Sequence, residues 1–213
     1  MTNPYLARPT KAEIVALPDF KGLTLDQIHL VHTDQDLAFA RQEIGRCSHI
    51  GFDTESKPSF IAGETNSGPH IVQIATDKHA FIFSLANQAS HSLLAEVVAS
   101  EQLIKLGFGL KSDSGPLQRK LGTKMGAVLE LSRIVKGLGY KDAVGLKAAV
   151  AIVLGEHIRK SKKITTSNWA AETLSAAQLL YAANDAYASL RVYLALGLHG
   201  STDTPRAIVS TPR

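Results

Sequence analysis

The sequence predicts a single α/β domain in which a mixed β-sheet is flanked by α-helices. A chain of 213 residues is long enough for one sizeable domain. Its composition, 45% hydrophobic and 20% charged, is typical of a globular protein. Short apolar runs in the first half predict strands, whereas helical periodicity dominates the second half. Because the predicted connections include a hairpin as well as helices, the sheet is expected to mix parallel and antiparallel strands.

Strands and helices alternate in the first half of the chain. Residues 28–32 predict a strand, and Thr33 is suited to cap a helix over residues 34–44. A second strand is expected to end at Phe52. The turn-like residues that follow Ala75 predict a hairpin. The remaining elements predicted in this half are strands at 70–75, 80–85 and 103–108, and a helix at about 90–100.

Helices are expected from about residue 113 to residue 197, and the last of them has a clear start. Ser175 and Gln178 have the spacing of a capping box, and Leu174 with Leu179 has that of a hydrophobic staple. The residues that follow are apolar around most of the helix, which indicates a buried helix. Asp185 lies in its middle, where a carboxylate needs a partner cation or a metal.

The ends of the chain are expected to be less ordered than residues 23–199, which form the predicted domain. Residues 1–22 are punctuated by proline and predict a partly ordered extension, and residues 200–213 predict a disordered tail. We find no apolar signal core and no stretch long enough to span a bilayer, so a cytoplasmic or nucleoid location is expected. The single cysteine, Cys47, excludes an internal disulfide framework.

The positive charge of the chain is concentrated in one short run. The net charge is +4 and the sequence pI is about 9.2, which permits a polyanionic partner. Residues 159–163 contain four cations. Such a run is either a solvated loop or a contact to phosphate groups.

Three acidic segments stand out by their position. Asp53 and Glu55 follow an apolar run, and residues two apart in a strand point to the same face. Two carboxylates held that close repel each other, so the pair is either an exposed strand end or half of a metal site. Asp113 follows a strand with glycines at 107 and 109, and is either a helix N-cap or a functional group. Tyr181 precedes Asp185 by one helical turn.

Each of these signals is weak alone, but their order along the chain is informative. Taken together, they resemble the 3′→5′ exonucleases of the DEDD superfamily with a tyrosine in the third motif, the group of ribonuclease D and the Werner-type exonuclease domain. The segments that carry the resemblance are 51–55, 105–113 and 181–187, with further similarity at 154–161 and 167–178. The resemblance covers about residues 25–197.

This resemblance implies a ribonuclease H-like fold and hydrolysis of nucleic acid from its 3′ end, with release of 5′-mononucleotides. It implies two divalent cations, Mg²⁺ or Mn²⁺, held by Asp53, Glu55, Asp113 and Asp185. Tyr181 would orient the attacking water, since a phenol with a pKa near 10 is a poor base at neutral pH. The implied partners are nucleic acid 3′ ends, single-stranded or recessed. In the group a lysine near residue 160 lies close to the substrate, which makes Lys160 the first candidate for a contact to nucleic acid and Lys111 the second.

The chain departs from the group at two places. Many relatives have a tryptophan after the glutamate of the first motif, where this chain has Ser56, which puts base stacking or end preference in doubt. Glu130 replaces an aspartate that relatives often carry. Phe52, Phe108 and Trp169 are expected in the core rather than as stacking platforms.

Three alternatives to this interpretation stay open at the level of sequence. We favour DNA slightly over RNA, so an RNA 3′-end processing enzyme similar to ribonuclease D is the first alternative. A non-catalytic nucleic-acid-binding module is the second, although none of the four acidic positions is lost. A nuclease that degrades only very short oligonucleotides is the third, and Tyr181 argues against it because such relatives usually carry histidine in the third motif.

Overall fold

The computed structural model describes residues 5–58 and 68–198, and these contain one six-stranded mixed sheet. The strand order is β1-β4-β3-β2-β5-β6. β3 is antiparallel to both of its neighbours, and the other adjacent strands are parallel. The strands are β1 (Ile28–Val31), β2 (His49–Glu55), β3 (Ile71–Ala75), β4 (Ala80–Ser84), β5 (Ile104–Gly107) and β6 (Val128–Glu130).

The helices cover both faces of this sheet, and α8 is the longest of those in the described residues. A π-helical turn, Val150–Leu154, follows α6 directly. None of the helices in the described ranges is both long and apolar enough to cross a membrane. The helices are α1 (Lys11–Val15), α2 (Asp34–Ile44), α3 (His91–Ala99), α4 (Leu110–Leu121), α5 (Leu131–Lys136), α6 (Leu146–Ala149), α7 (Lys162–Thr165) and α8 (Ala176–Ala195).

The core is divided into layers by the sheet, since alternate residues of each strand point to opposite faces. On one face, Phe52 of β2 and Ile74 of β3 pack against α2, α3 and α4. On the other face, Ile71 and Ala75 of β3 pack against small residues of α8 such as Ala186. The central strands are therefore buried on both sides.

Gly51 allows α8 to lie directly on β2. A Cβ atom built on Gly51 would lie 1.9 Å from the backbone oxygen of Ala186, so no other residue fits without displacing the helix. The approach also shows that Asp53, two residues further along β2, is on the α8 side of the sheet. Sequence and packing thus place the end of β2 next to the middle of α8.

Most of the predicted elements are present, with differences at their ends. The helix capped by Thr33, the hairpin and the capping box of α8 are confirmed. β2 does not end at Phe52, because its pairing with β3 continues to Glu55 opposite Ile71. β6 has only three residues and was not predicted. The predicted tail, 200–213, lies outside the described residues.

Candidate active site

Three carboxylates from distant parts of the chain meet at one place. Asp53 and Glu55 come from the end of β2, and Asp185 comes from α8. One oxygen of each lies within 4.8 Å of the others. Asp53 and Glu55 are half-buried, and Asp185 is only 2% exposed. The strand geometry predicted for Asp53 and Glu55 is thus present, and α8 adds the third carboxylate.

The position of Asp185 depends on how α8 begins. The Ser175 hydroxyl accepts from the Gln178 N–H at 3.3 Å, and the Gln178 carboxamide oxygen accepts from the Ser175 N–H at 3.0 Å. The amide nitrogen of Gln178 also donates to the Ser167 hydroxyl at 3.1 Å. These bonds satisfy free N–H groups at the start of the helix and tie it to the preceding segment. Asp185 follows on the buried side of α8.

Asp113 lies in the first turn of α4 and is not its N-cap, because the helix begins at Leu110 after Gly109. Gly109 has φ +81°, a backbone conformation that favours glycine. The Asp113 carboxyl lies close enough to the Thr54 side chain for Thr54 to affect its pKa, and its charge acts on Asp53 and Glu55. It lies outside the group of three oxygens described above.

Glu130 at the end of β6 holds the start of α4. Its carboxylate accepts from the backbone N–H of Gly109 at 2.9 Å and of Leu110 at 3.1 Å, and from the Ser132 hydroxyl at 2.6 Å. These N–H groups have no partner within the helix, and a carboxylate complements the positive helix end. Glu130 therefore orients the turn that carries Asp113.

Burial and mutual repulsion favour the protonated forms of these carboxyl groups. Burial and the nearby Asp185 raise the pKa of Asp53 to about 8, although Lys160 opposes the shift. Burial, followed by Asp53 and Asp185, raises the pKa of Glu55 to about 8. Burial raises the pKa of Asp113 to about 6, although the Thr54 side chain opposes the shift. A bound cation would reverse these shifts.

Lys160 is the cation that the protein itself brings to the site. Its Nζ lies 2.6 Å from the Asp185 Oδ2 and 5.3 Å from the centre of the Tyr181 ring, and its side chain is 30% exposed. Burial disfavours its charge, but Asp185 and the other acidic neighbours outweigh this and raise the pKa of the ammonium. The neighbouring Arg159 instead binds Asp19 with two hydrogen bonds of 2.9 and 2.8 Å.

The other predicted contact residue, Lys111, lies apart from this ion pair. It is exposed on the first turn of α4, two residues before Asp113. Lys160 thus contacts the carboxylates directly, whereas Lys111 is at the surface near them.

Tyr181 lies one turn before Asp185, and its hydroxyl faces a polar neighbour on α7. The Thr165 hydroxyl lies 3.0 Å from the phenol oxygen, and Tyr181 and Asp185 are close enough to shift each other's pKa. The ring of the fully buried Trp169 lies behind it, with 6.0 Å between centroids. Burial and Asp185 raise the pKa of Tyr181 above its ordinary value. The phenol is therefore neutral at neutral pH and suited to orienting a polar group.

Two cavities open beside the site. One, of about 770 Å³, lies between residues 19–23 and residues 157–164 and reaches Tyr181 and Asp185. The other, of about 410 Å³, is lined by Asp53, Phe108 and Lys160 among others. Phe52 and Trp169 are buried as predicted, whereas Phe108 is half-buried at this second cavity. The carboxylates are therefore accessible from two directions.

Sequence reasoning did not identify Thr54, Thr165 or the capping role of Glu130. Thr165 and Glu130 act on residues that are distant from them in sequence. Thr54 lies directly between the two acidic residues of β2. A hydroxyl between two carboxylates carries no distinct signal of its own. The partners became apparent only from the packing of β2, α4, α7 and α8.

The donor set fits hard divalent cations. Oxygen ligands, and carboxylates above all, suit Mg²⁺ and Mn²⁺, whereas zinc sites use histidine and cysteine. The three converging oxygens belong to carboxyl groups whose repulsion a cation would relieve. Asp53, Glu55 and Asp185 fit as ligands, and Asp113 lies close enough to act on them.

Comparisons with known proteins identify the family of the chain. A family model described as 3′-5′ exonuclease matches residues 28–200. The mouse bifunctional 3′-5′ exonuclease/ATP-dependent helicase WRN is 30% identical over 155 residues, which are 72% of this chain and 11% of that protein. The chain spans less than half the length of the curated relatives that it matches.

Solved structures share the fold. The Nibbler EXO domain of Aedes aegypti has a TM-score of 0.69 and 26% identity, and the match covers 81% of this chain and 88% of that one. Ribonuclease D of Trypanosoma brucei has a TM-score of 0.71 and 20% identity, and the match covers 90% and 68%. The ribonuclease H-like fold, the order of the motifs and the family match lead to one assignment. The chain belongs to the 3′–5′ exonucleases of the DEDD superfamily.

Proposed function

We propose that this chain is a metal-dependent exonuclease that removes 5′-mononucleotides from the 3′ end of a nucleic acid, using two divalent cations. The observation that carries the proposal is the convergence of three carboxylate oxygens within 4.8 Å beside a tyrosine hydroxyl. The proposal extends the family assignment to the substrate end, the products and the cations. The roles assigned to individual residues are also part of the proposal.

In this proposal, Asp53, Glu55 and Asp185 hold the cations, and Asp113 contributes from the first turn of α4. Mg²⁺ or Mn²⁺ bound there would lower the pKa of the attacking water and stabilise the departing 3′-oxygen. Tyr181 orients the attacking water through its hydroxyl, a role that suits a phenol whose pKa is raised. No covalent intermediate with the protein is required.

Lys160 and Lys111 are proposed to contact phosphate groups. Lys160 lies 2.6 Å from Asp185 and lines the cavity that Asp53 also lines, so a phosphate beside the carboxylates would lie within its reach. Lys111 is exposed near Asp113 and fits a phosphate further along the strand. Each phosphate contact contributes about one unit to the salt dependence of binding.

The Lys111 contact is tested by the salt dependence of binding. We expect Lys111→Met to weaken nucleic-acid binding for all sequences and to lower the slope of log affinity against log salt by about one unit. Lys78→Met is the matched control, because Lys78 is exposed in the turn at the opposite end of β3 from Glu55. Equal slopes for the Lys111 variant and the unmodified protein would rule this contact out.

The exonuclease proposal is tested with a 5′-labelled strand. It is offered as DNA and as RNA, single-stranded and recessed in a duplex, with Mg²⁺ or Mn²⁺. We expect a ladder that shortens from the 3′ end, absent with Asp53→Asn and retained with Asp77→Asn, an exposed carboxylate at the far end of the sheet. Because the metal chemistry does not touch the 2′ position, the DNA and RNA arms decide the preferred sugar.

The same experiment separates the alternatives. Binding without any ladder would favour the non-catalytic module. Degradation of a two-residue substrate but not of a 20-mer would favour the oligonucleotide-specific nuclease. A ladder on RNA alone would favour RNA 3′-end processing over our slight preference for DNA.

A further inference from the structure

Gln73 is a buried polar residue for which the fold supplies no partner. It lies in the middle of β3, fully buried, between apolar residues on both sides. Neither its carboxamide nitrogen nor its carboxamide oxygen has a hydrogen-bond partner among the residues that the structure describes. An unsatisfied buried polar group destabilises the folded state. Such a cost calls for a function that an apolar residue cannot perform.

The register of the sheet places Gln73 next to Asp53. The two residues are directly opposite each other in the antiparallel pair of β2 and β3. Opposite residues point to the same face, and their Cβ atoms are about 4.5–5.5 Å apart. On the other side, Gln73 pairs with Ile82 of β4, which is apolar. Asp53 is therefore the polar neighbour of Gln73 across the sheet.

Apolar residues surround Gln73 along its own strand. Ile71 and Ala75 flank it on the same face of β3, and these two residues share a buried cluster with Ala182, Ala183 and Ala186 of α8. Gln178, a second buried glutamine, shows the contrast, because its carboxamide bonds to Ser175, Ser167 and Asn168. The buried carboxamide of Gln178 is thus satisfied, whereas that of Gln73 is not.

We propose that Gln73 is a positioning residue whose carboxamide N–H donates to the ionised Asp53 carboxylate and fixes its orientation towards a bound cation. This inference rests on the proposed function of the site. In the structure, Asp53 Oδ1 accepts from the backbone N–H of Thr54 at 2.9 Å. A rotation of the Gln73 side chain supplies a second donor to the same carboxylate. Partners of this kind orient metal ligands, and their removal costs 10- to 100-fold in metal affinity or activity.

The test replaces Gln73 with methionine, which keeps the length of the side chain and removes its polar atoms. In the absence of metal, Gln73→Met should melt at the same temperature as the unmodified protein or higher, because unsatisfied polar atoms are lost. The Mn²⁺ midpoint, which is the Mn²⁺ concentration that gives half of the maximal rise in melting temperature, should increase about 10-fold. kcat should fall about 10-fold with KM unchanged. A packing role would move neither the Mn²⁺ midpoint nor kcat.

Ile82→Met is the matched control, since Ile82 is the apolar neighbour of Gln73 in the same row. It should leave the Mn²⁺ midpoint and kcat unchanged.

Gln73→Leu is a second variant in case Gln73→Met does not fold. The proposal is overturned if either folded Gln73 variant keeps the Mn²⁺ midpoint and kcat of the unmodified protein. It is also overturned if neither Gln73 variant folds. If the unmodified protein responds to Mn²⁺ and degrades the strand while Gln73→Met behaves identically, only this inference fails. If the unmodified protein does neither, the proposed function fails with it.

Discussion

Asp53 and Glu55 are half-buried carboxyl groups that favour the protonated form in the metal-free protein. Their pKa values of about 8 compare with 3.8 and 4.5 for the free groups. Between roughly pH 4 and pH 8 the folded state therefore holds protons that the unfolded state has released. Stability falls with rising pH wherever the folded state binds more protons.

We accordingly expect the metal-free protein to lose thermal stability as the pH rises from 5 to 8. Differential scanning calorimetry in the presence of a chelator measures this. The Asp53→Asn/Glu55→Gln double variant cannot release these protons, so its melting temperature should depend less on pH over the same range. A melting temperature of the unmodified protein that rises steadily to pH 8 would contradict the pKa assignments.

The ion pair of Lys160 and Asp185 leads to a second expectation. Lys160→Met leaves a buried carboxyl without its cation, and we expect the metal-free protein to lose roughly 1–3 kcal/mol of stability. The loss is smaller than for a fully buried pair, because the Lys160 side chain is 30% exposed.

Denaturant unfolding of a double-mutant cycle measures this coupling. Asp185→Asn removes the charge that Lys160 neutralises, so Lys160→Met should cost little in that background. Equal costs in both backgrounds would show that the two side chains do not interact.

At the scale of single elements, α4 depends on a residue outside itself. Its N-cap is a glycine, and a glycine side chain cannot accept from the first N–H groups. The Glu130 carboxylate takes this role from the end of β6. A three-residue strand thus fixes the turn that carries Asp113.

Glu130→Ala is expected to lower kcat about 10-fold, because the start of α4 and Asp113 lose their support. The melting temperature should also fall, since hydrogen bonds to charged groups contribute about 1.5–3 kcal/mol. Thr33→Ala is the control for a lost helix cap. It removes the cap of α2, which lies on the face of the sheet opposite α8, and should lower stability by about 1 kcal/mol without changing kcat. An unchanged kcat in Glu130→Ala would limit Glu130 to a structural role.

At the scale of the whole molecule, the site joins parts of the chain that are far apart in sequence. β2 and α8 are separated by more than a hundred residues, and the segment before β1 is also attached to α8. Asn184 accepts from the Leu23 N–H at 2.7 Å and donates to the Leu23 oxygen at 3.2 Å. A cation held between β2 and α8 would therefore stabilise the fold rather than one element.

We expect millimolar Mn²⁺ to raise the melting temperature of the protein by about 5 °C or more at pH 8. A ligand at 100 times its Kd adds about 2.7 kcal/mol to the stability of the state that binds it. For a domain of this size, each kcal/mol corresponds to about 2–4 °C. Asp185→Asn should abolish the increase. A melt of the unmodified protein that is insensitive to Mn²⁺ would count against the metal site.

Local patterns account for what could be predicted. The capping box at Ser175, the N-cap at Thr33 and the apolar runs of β3 and β4 act over a few residues, and all were predicted. β6 was missed because a three-residue strand has too little periodicity to be recognised. The N-cap alternative for Asp113 was wrong, because α4 already begins at Leu110. The Leu110 N–H donates to the carboxylate of Glu130, which lies 20 residues further along the chain.

The sequence by itself determined the family and the fold class and predicted which acidic residues form the site, because motif order, periodicity and the spacing of two residues in a strand are properties of the linear chain. Only the tertiary structure decided how Lys160 pairs with Asp185, how Glu130 supports α4 and that Gln73 lies opposite Asp53 without a partner. These relations depend on strand register and on the packing of α8 against β2. Neither is encoded by neighbouring residues.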